Sequence, residues 1–183
     1  MNIAEIKIAY VATLSTTKGY IGAALVTDYK GYPVEFQYTD PILPTKIQQV
    51  LYGGGIEKYI KVDVILDSLL KILSNRIDLI IVQDEELLNY KISSVEILRA
   101  SAAKKNQVLD ENEITKVKNN EYIIKTDSPG GPVRLQFGRS IDVEDERFRK
   151  IVELVKEASK FIEIYEPVER VYKSVELITN QEV

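Results

Sequence analysis

The chain contains neither cysteine nor histidine. No disulfide framework can form, and zinc sites of the Cys/His type are excluded. The lack of an imidazole also removes Cys-His and Ser-His-Asp nucleophilic machinery, because both rely on it as the base. Chemistry is thereby confined to carboxylate, lysine, tyrosine, hydroxyl and backbone groups. Tryptophan is missing as well, and methionine occurs once. Together with abundant Ile, Lys, Glu and Tyr, that usage suits a thermophile, although an AT-rich genome produces the same bias. No apolar run approaches membrane-spanning length; Leu79-Ile80-Ile81-Val82 is far too short. The stretch from Met1 to Tyr20 has neither the basic start nor the long apolar core of a secretory signal. A cytoplasmic location is expected.

What is present fits a globular chain. At 183 residues, 45% hydrophobic and 28% charged, it can fill a substantial core. The formal net charge is −4 and the pI about 5.1. Lys and Arg are scattered among acids rather than gathered in a stripe. That balance disfavours nucleic acid as a partner, since no overall cationic field exists to attract it.

Residues 6–13 (IKIAYVAT) and 20–27 (YIGAALVT) read as strands joined by the polar loop LSTTKG. A turn at Asp28-Tyr29-Lys30-Gly31 leads to a third strand, in which Val34, Phe36 and Tyr38 alternate with Glu35 and Gln37. Pro33 places that strand's start, or the strand itself, at a sheet edge. The three form an antiparallel meander with one wet face. Pro41 and Pro44 stop the sheet, and a helical region runs from about Thr45 to Leu73. Residues 77–82 (IDLIIV) predict a buried strand. Residues 92–98 (ISSVEIL) are ambiguous, and 99–120 read as loop-rich. A hairpin follows, with EYIIKTD and VRLQF flanking the Gly-rich turn SPGGP. Phe148, Ile151, Val152, Val155, Ala158, Phe161 and Ile162 form one helical stripe. After Pro167, Val168, Val171, Tyr172, Val175 and Ile178 repeat at helical spacing.

The expected fold is therefore α+β. An antiparallel or mixed sheet, built from the N-terminal meander and the later hairpin, is packed by a long Gly-interrupted helix and two C-terminal helices. One domain spanning 1–183 is expected, with 141–183 a helical segment packed on it. This element order is similar to that of profilin-like domains such as longin and roadblock modules. The resemblance implies a binding or scaffolding role.

The stretch QQVLYGGGIEKYIK sets Gly53, Gly54 and Gly55 inside the helical region. A phosphate loop needs a strand before it and a helix after it, and no Gly-Lys-Ser/Thr follows here. At about 100° per residue, Val50, Leu51, Ile65, Leu69 and Ile72 fall with Ile47, while Tyr52, Ile56, Tyr59 and Ile60 fall opposite. The helix either breaks at the glycines or carries two apolar faces. Packing of the second face on the chain's own C-terminal helices is one reading. A homodimer or partner interface made by Tyr52, Gly53, Gly54, Gly55, Ile56, Tyr59 and Ile60 is the other. Eleven tyrosines suit interfaces, where an apolar ring and a polar tip both help.

Acidic residues offer a competing site. Asp63 and Asp67 lie four apart on the helix, and Asp84, Glu85 and Glu86 follow the buried strand. Carboxylates at a strand's C-terminal end can converge on Mg²⁺ for phosphoryl chemistry. The loop from Ser15 to Gly19 reads as an ordinary turn. The reading favoured by these features is a binding protein without a cofactor: an adaptor or regulatory subunit acting through protein–protein contacts or as a homo-oligomer. The alternative is a Mg²⁺-dependent phosphoesterase or nuclease using the carboxylate cluster.

Overall fold

The computed structural model describes residues 3–90, 94–104, 113–128 and 130–181. Its core is a mixed eight-stranded sheet in the order β3-β2-β1-β4-β5-β8-β7-β6. The strands are β1 (Lys7–Thr16), β2 (Gly19–Asp28), β3 (Pro33–Tyr38), β4 (Leu79–Val82), β5 (Ile97–Ala102), β6 (Ile114–Lys118), β7 (Glu121–Ile124) and β8 (Val133–Phe137). Pairing of β4 with β1 and with β5 is parallel, and every other pair is antiparallel. Pro33 opens an edge strand, as its missing N–H requires.

Successive residues of β1 feed two different cores. Ile8, Tyr10 and Ala12 join the cluster under the two C-terminal helices. Ala9 and Val11 join the cluster under the long helix. β1 and β2 therefore have no wet face, contrary to expectation, while the edge strand β3 stays partly exposed. Parallel β4 is apolar at all four positions because both of its faces are covered. Gly22 lets the long helix approach closely: a Cβ there would stand 2.2 Å from Ile65 Cγ2.

The helix over 46–72 starts with a reciprocal cap. Thr45 Oγ1 accepts from the Gln48 N–H at 3.2 Å, and Gln48 Oε1 accepts from the Thr45 N–H at 2.9 Å. The helix tightens to a 3₁₀ turn at Gly53–Gly55, with Gly53 at φ +51°, then widens to a π segment at Tyr59–Leu66. That change of pitch resets the helical phase. Ile47, Val50 and Leu51 end up 67%, 80% and 75% exposed, while Ile65 and Leu69 are fully buried. The uniform 100° step had placed all five together. Tyr52 stacks on Tyr59 with ring centroids 4.4 Å apart. Ile56, Tyr59 and Ile60 pack on the chain's own sheet, and the C-terminal helices lie on the opposite face. Nothing lies within 4 Å of a Cβ added at Gly53, Gly54 or Gly55, so no close backbone contact requires them.

Glu35 ties the end of this helix to β3. Its carboxylate accepts from Ser74 N–H at 3.0 Å, Asn75 N–H at 3.2 Å and Asn75 Nδ2 at 2.7 Å. The Asn75 side chain and then the Ser74 amide hold its pKa down at about 2.

The C-terminal helices are Glu146–Ser159 and Glu166–Gln181. Asp145 caps the first by accepting from Arg147 N–H at 2.8 Å. Val168, Val171 and Val175 of the second are buried against the sheet. Phe161 falls just beyond the first helix and is half exposed, edge-on to Tyr29. The hairpin forms as predicted, with Val133, Leu135 and Phe137 inward. The 92–98 segment yields β5, although Ile92 and Ser93 lie outside the described residues. The loop-rich reading of 99–120 is corrected by β5 and by β6, an edge strand whose wet residues need no alternation. Residues 105–112 of that stretch lie outside the described residues. Among the described residues no helix is long and apolar enough to cross a membrane.

Two measurements test this packing. Gly22→Ala is expected to destabilise by about 1–3 kcal/mol in urea unfolding, because the branched Ile65 cannot yield cheaply. Gly55→Ala, at an ordinary helical φ of −87°, should instead stabilise by up to about 1 kcal/mol. For Glu35→Gln, a loss of about 1 kcal/mol at pH 7 is expected after allowing for solvent screening. Since the folded pKa is depressed, the wild-type advantage is full above the unfolded value near 4.5. It should fade as pH falls toward 2.

Candidate functional site

From β1 the chain turns to β2 and β3 on one side of the sheet, while β4 and β5 extend the other side. Sheets of this kind leave a crevice at the carboxyl ends of the strands where the order reverses. Val11 pairs with Val82 in parallel register, so Thr13 and Asp84 arrive side by side at that crevice. Thr13 is buried, and its hydroxyl donates to Asp84 Oδ2 at 2.6 Å. Asp84 also opens the 3₁₀ turn Glu85–Asn89.

The long helix adds Glu57 and Lys61, one helical turn apart. Lys61 Nζ lies 2.6 Å from Glu57 Oε1, 3.6 Å from Glu86 Oε2 and 3.8 Å from Asp84 Oδ2. Burial is the largest single influence on this ammonium and opposes its charge. The Glu57 hydrogen bond and the charges of Asp84, Glu57 and Glu86 outweigh it, so the pKa is raised above the ordinary lysine value. Glu86 Oε2 is buried without a hydrogen-bond partner. On the opposite face, Tyr172 of the last helix feels the same charges. Burial first, then Asp84, push its phenol up to about 12, against the opposing pull of Lys61 and Arg99. Arg99 and Gln136 flank the crevice and engage Glu85, at 3.9 Å and 2.9 Å. Carboxylates outnumber cations at this end of the sheet.

No protein-family model matches the chain, and no curated protein is similar to it in sequence. Its fold is similar to that of endonuclease V. The Bacillus subtilis enzyme superposes with a TM-score of 0.57 at 10% identity, over 96% of this chain and 81% of that one. Ciona intestinalis endonuclease V, solved with a 23mer DNA containing an inosine followed by a ribo-adenosine, gives 0.52 at 12% identity, over 94% and 86%. A Marinitoga piezophila Argonaute in complex with guide RNA and target DNA gives 0.45 at 12% identity. The chain spans only 30% of that Argonaute's length, covering 94% of its own. The two endonuclease V matches are not profilin-like scaffolds, and the Ciona enzyme is solved with DNA. The adaptor reading, with protein partners and nucleic acid disfavoured, is overturned by that likeness. Element order along the chain misled because it does not encode strand order in the sheet. Net charge misled because it averages over the whole surface.

Against the endonuclease V-like frame, the acidic residues named from sequence separate. Asp84 stands at the crevice and Glu85 beside it, on Arg99 and Gln136. Asp67 is held elsewhere, accepting from Tyr90 Oη at 2.7 Å and Lys71 Nζ at 2.6 Å. Asp63 is exposed, and its charge acts on Tyr52 and Tyr90. Among the described residues no group of three or more acids is placed to hold a metal ion unaided. The Ser15–Gly19 loop is a turn, with Thr16 Oγ1 donating to Gly19 O at 2.8 Å. Thr13, Glu57, Lys61 and Tyr172 went unrecognised in the sequence, whereas Glu86 was named with Asp84 and Glu85. Only the four-residue spacing of Glu57 and Lys61 hinted at a pair.

A cleft of about 970 Å³, with Arg76, Arg139, Arg147 and Lys150 among its lining residues, lies near the opposite ends of β4 and β5. Its Arg139 is paired with Glu96 at 2.8 Å. The Asp84 cluster is the better chemical site, because residues of the sheet and the long helix meet there and its charges reach Tyr172 of the last helix. Thr13→Val should leave Asp84 short of a charge-assisted hydrogen bond and cost about 1.5–3 kcal/mol in denaturant unfolding.

Proposed function

We propose that the chain acts on nucleic acid, with a phosphodiester seated over the crevice between the carboxyl ends of β1 and β4. The observation that carries this reading is the concentration of Asp84, Glu86, Glu57 and Lys61 at the switch point of a fold shared with endonuclease V. Four roles follow from the chain's own groups. Asp84, oriented by Thr13, and Glu86, whose Oε2 makes no hydrogen bond, are the carboxylates available to a divalent cation. Two carboxylates suffice where a phosphate completes the shell, as is usual for Mg²⁺. Lys61 is an ammonium donor within reach of a phosphate oxygen bound there. Tyr172 stays protonated at neutral pH and so remains a hydrogen-bond donor. When bound, the cation would supply charge neutralisation and Lewis-acid polarisation of the phosphate.

A second reading, strand binding without hydrolysis, is favoured by one observation. The carboxylates make no closed cage among the described residues. Labelled single- and double-stranded DNA and RNA, with and without an inosine, separate these readings by anisotropy and denaturing gels. Binding that weakens as salt rises is expected, with cleavage in Mn²⁺ that is lost in EDTA and in Asp84→Asn. Strands bound but left intact in Mn²⁺ would shift support to the second reading. Absence of binding to every strand at low salt would sink both.

A further inference from the structure

The spacing around Lys61 points to more than a salt bridge. Its ammonium has three protons and meets three carboxylates, those of Glu57, Glu86 and Asp84, between 2.6 and 3.8 Å from the nitrogen. Such distances suit an ammonium. They are too long for Mg²⁺, which takes oxygens at about 2.0–2.1 Å, or Ca²⁺ at about 2.3–2.6 Å. The lysine side chain is only 14% exposed, so this is a packed position and not a passing surface contact. Glu57 and Glu86 come from different elements, at 48% and 45% side-chain exposure.

We infer that Lys61 is the resident cation of this site and keeps divalent metal out of the strand-free protein. Without it, Glu57, Glu86 and Asp84 would face one another uncompensated, and a divalent ion would relieve that repulsion. With it, an incoming ion must displace an ammonium already held by three carboxylates. In the nucleic-acid reading, on which this next step rests, an arriving phosphate offers Lys61 a new partner and frees the carboxylates. Metal and strand would then enter together, whereas either alone meets an opposing charge.

The test uses strand-free protein and Mn²⁺ alone, so it does not depend on nucleic-acid binding. Wild type is expected to show no change in Tm and no calorimetric binding at millimolar Mn²⁺. Lys61→Met should gain a Tm rise of about 2–4 °C under the same conditions. Lys61→Arg, which keeps the charge, should stay unresponsive. Micromolar Mn²⁺ binding by wild type would overturn the inference whatever the variants do. So would a Lys61→Met protein that folds but ignores Mn²⁺, or a Lys61→Arg protein that responds as strongly as Lys61→Met. If Lys61→Met does not fold, Lys61→Gln takes its place: it too lacks the charge and must show the same Mn²⁺-dependent rise in Tm, and a folded Lys61→Gln that ignores Mn²⁺ overturns the inference.

Discussion

The parallel pairing of β1 with β4 is the constraint on which the rest depends. Parallel strands need a crossover connection, and here the chain between them includes the long helix that covers one face of the sheet. The two C-terminal helices cover the other face. Burial on both sides explains why β4 is apolar throughout and why β1 and β2 carry small residues. Ala9, Ala12, Ala23 and Ala24 are fully buried, and Gly22 sits under Ile65. The same pairing sets Thr13 beside Asp84, so packing and candidate chemistry have a common origin.

The irregular path of the long helix is the second determinant. A 3₁₀ turn at the glycines and a π segment after them turn Ile60, Val62, Ile65, Leu66 and Leu69 toward the sheet. Lys61 stands among these buried residues and reaches the crevice at their edge. A Cβ added at any of the three glycines would meet nothing within 4 Å. They sit where a helix of one pitch passes into a helix of another. The apolar residues left outside, Ile47, Val50 and Leu51, belong to the part before that change.

Electrostatics make the crevice chemically distinct. Glu57, Asp84, Glu85 and Glu86 gather around Lys61 and Arg99. Such an excess repels a bare phosphate. It becomes a phosphate site only when a further cation is shared between carboxylate and phosphate, the usual arrangement for Mg²⁺. An acidic chain is thus compatible with a nucleic-acid substrate, because binding can depend on a local bridge instead of a long-range positive field.

Much of the fold was legible in the residues. The LIIV run could only be a buried strand, the SPGGP turn could only join a hairpin, and the valine stripe after Pro167 could only be an amphipathic helix. Each is a local pattern of period two or 3.6 read against turn chemistry. Asp84 was legible too, since an acid following a buried strand marks a strand's carboxyl end. The edge strand β6 was not, because wet strands leave no alternation. The phase of the long helix was not, because a uniform step cannot foresee a change of pitch. The companions of Asp84 were least accessible: Thr13 lies 71 residues away from it in the chain. Composition by itself excluded thiol and imidazole chemistry, and the order of periodic segments set the α+β class. Strand order, and with it the meeting of Thr13, Lys61, Glu86 and Tyr172 around Asp84, was decided only by tertiary structure, because long-range pairing leaves no periodic trace in the segments it joins.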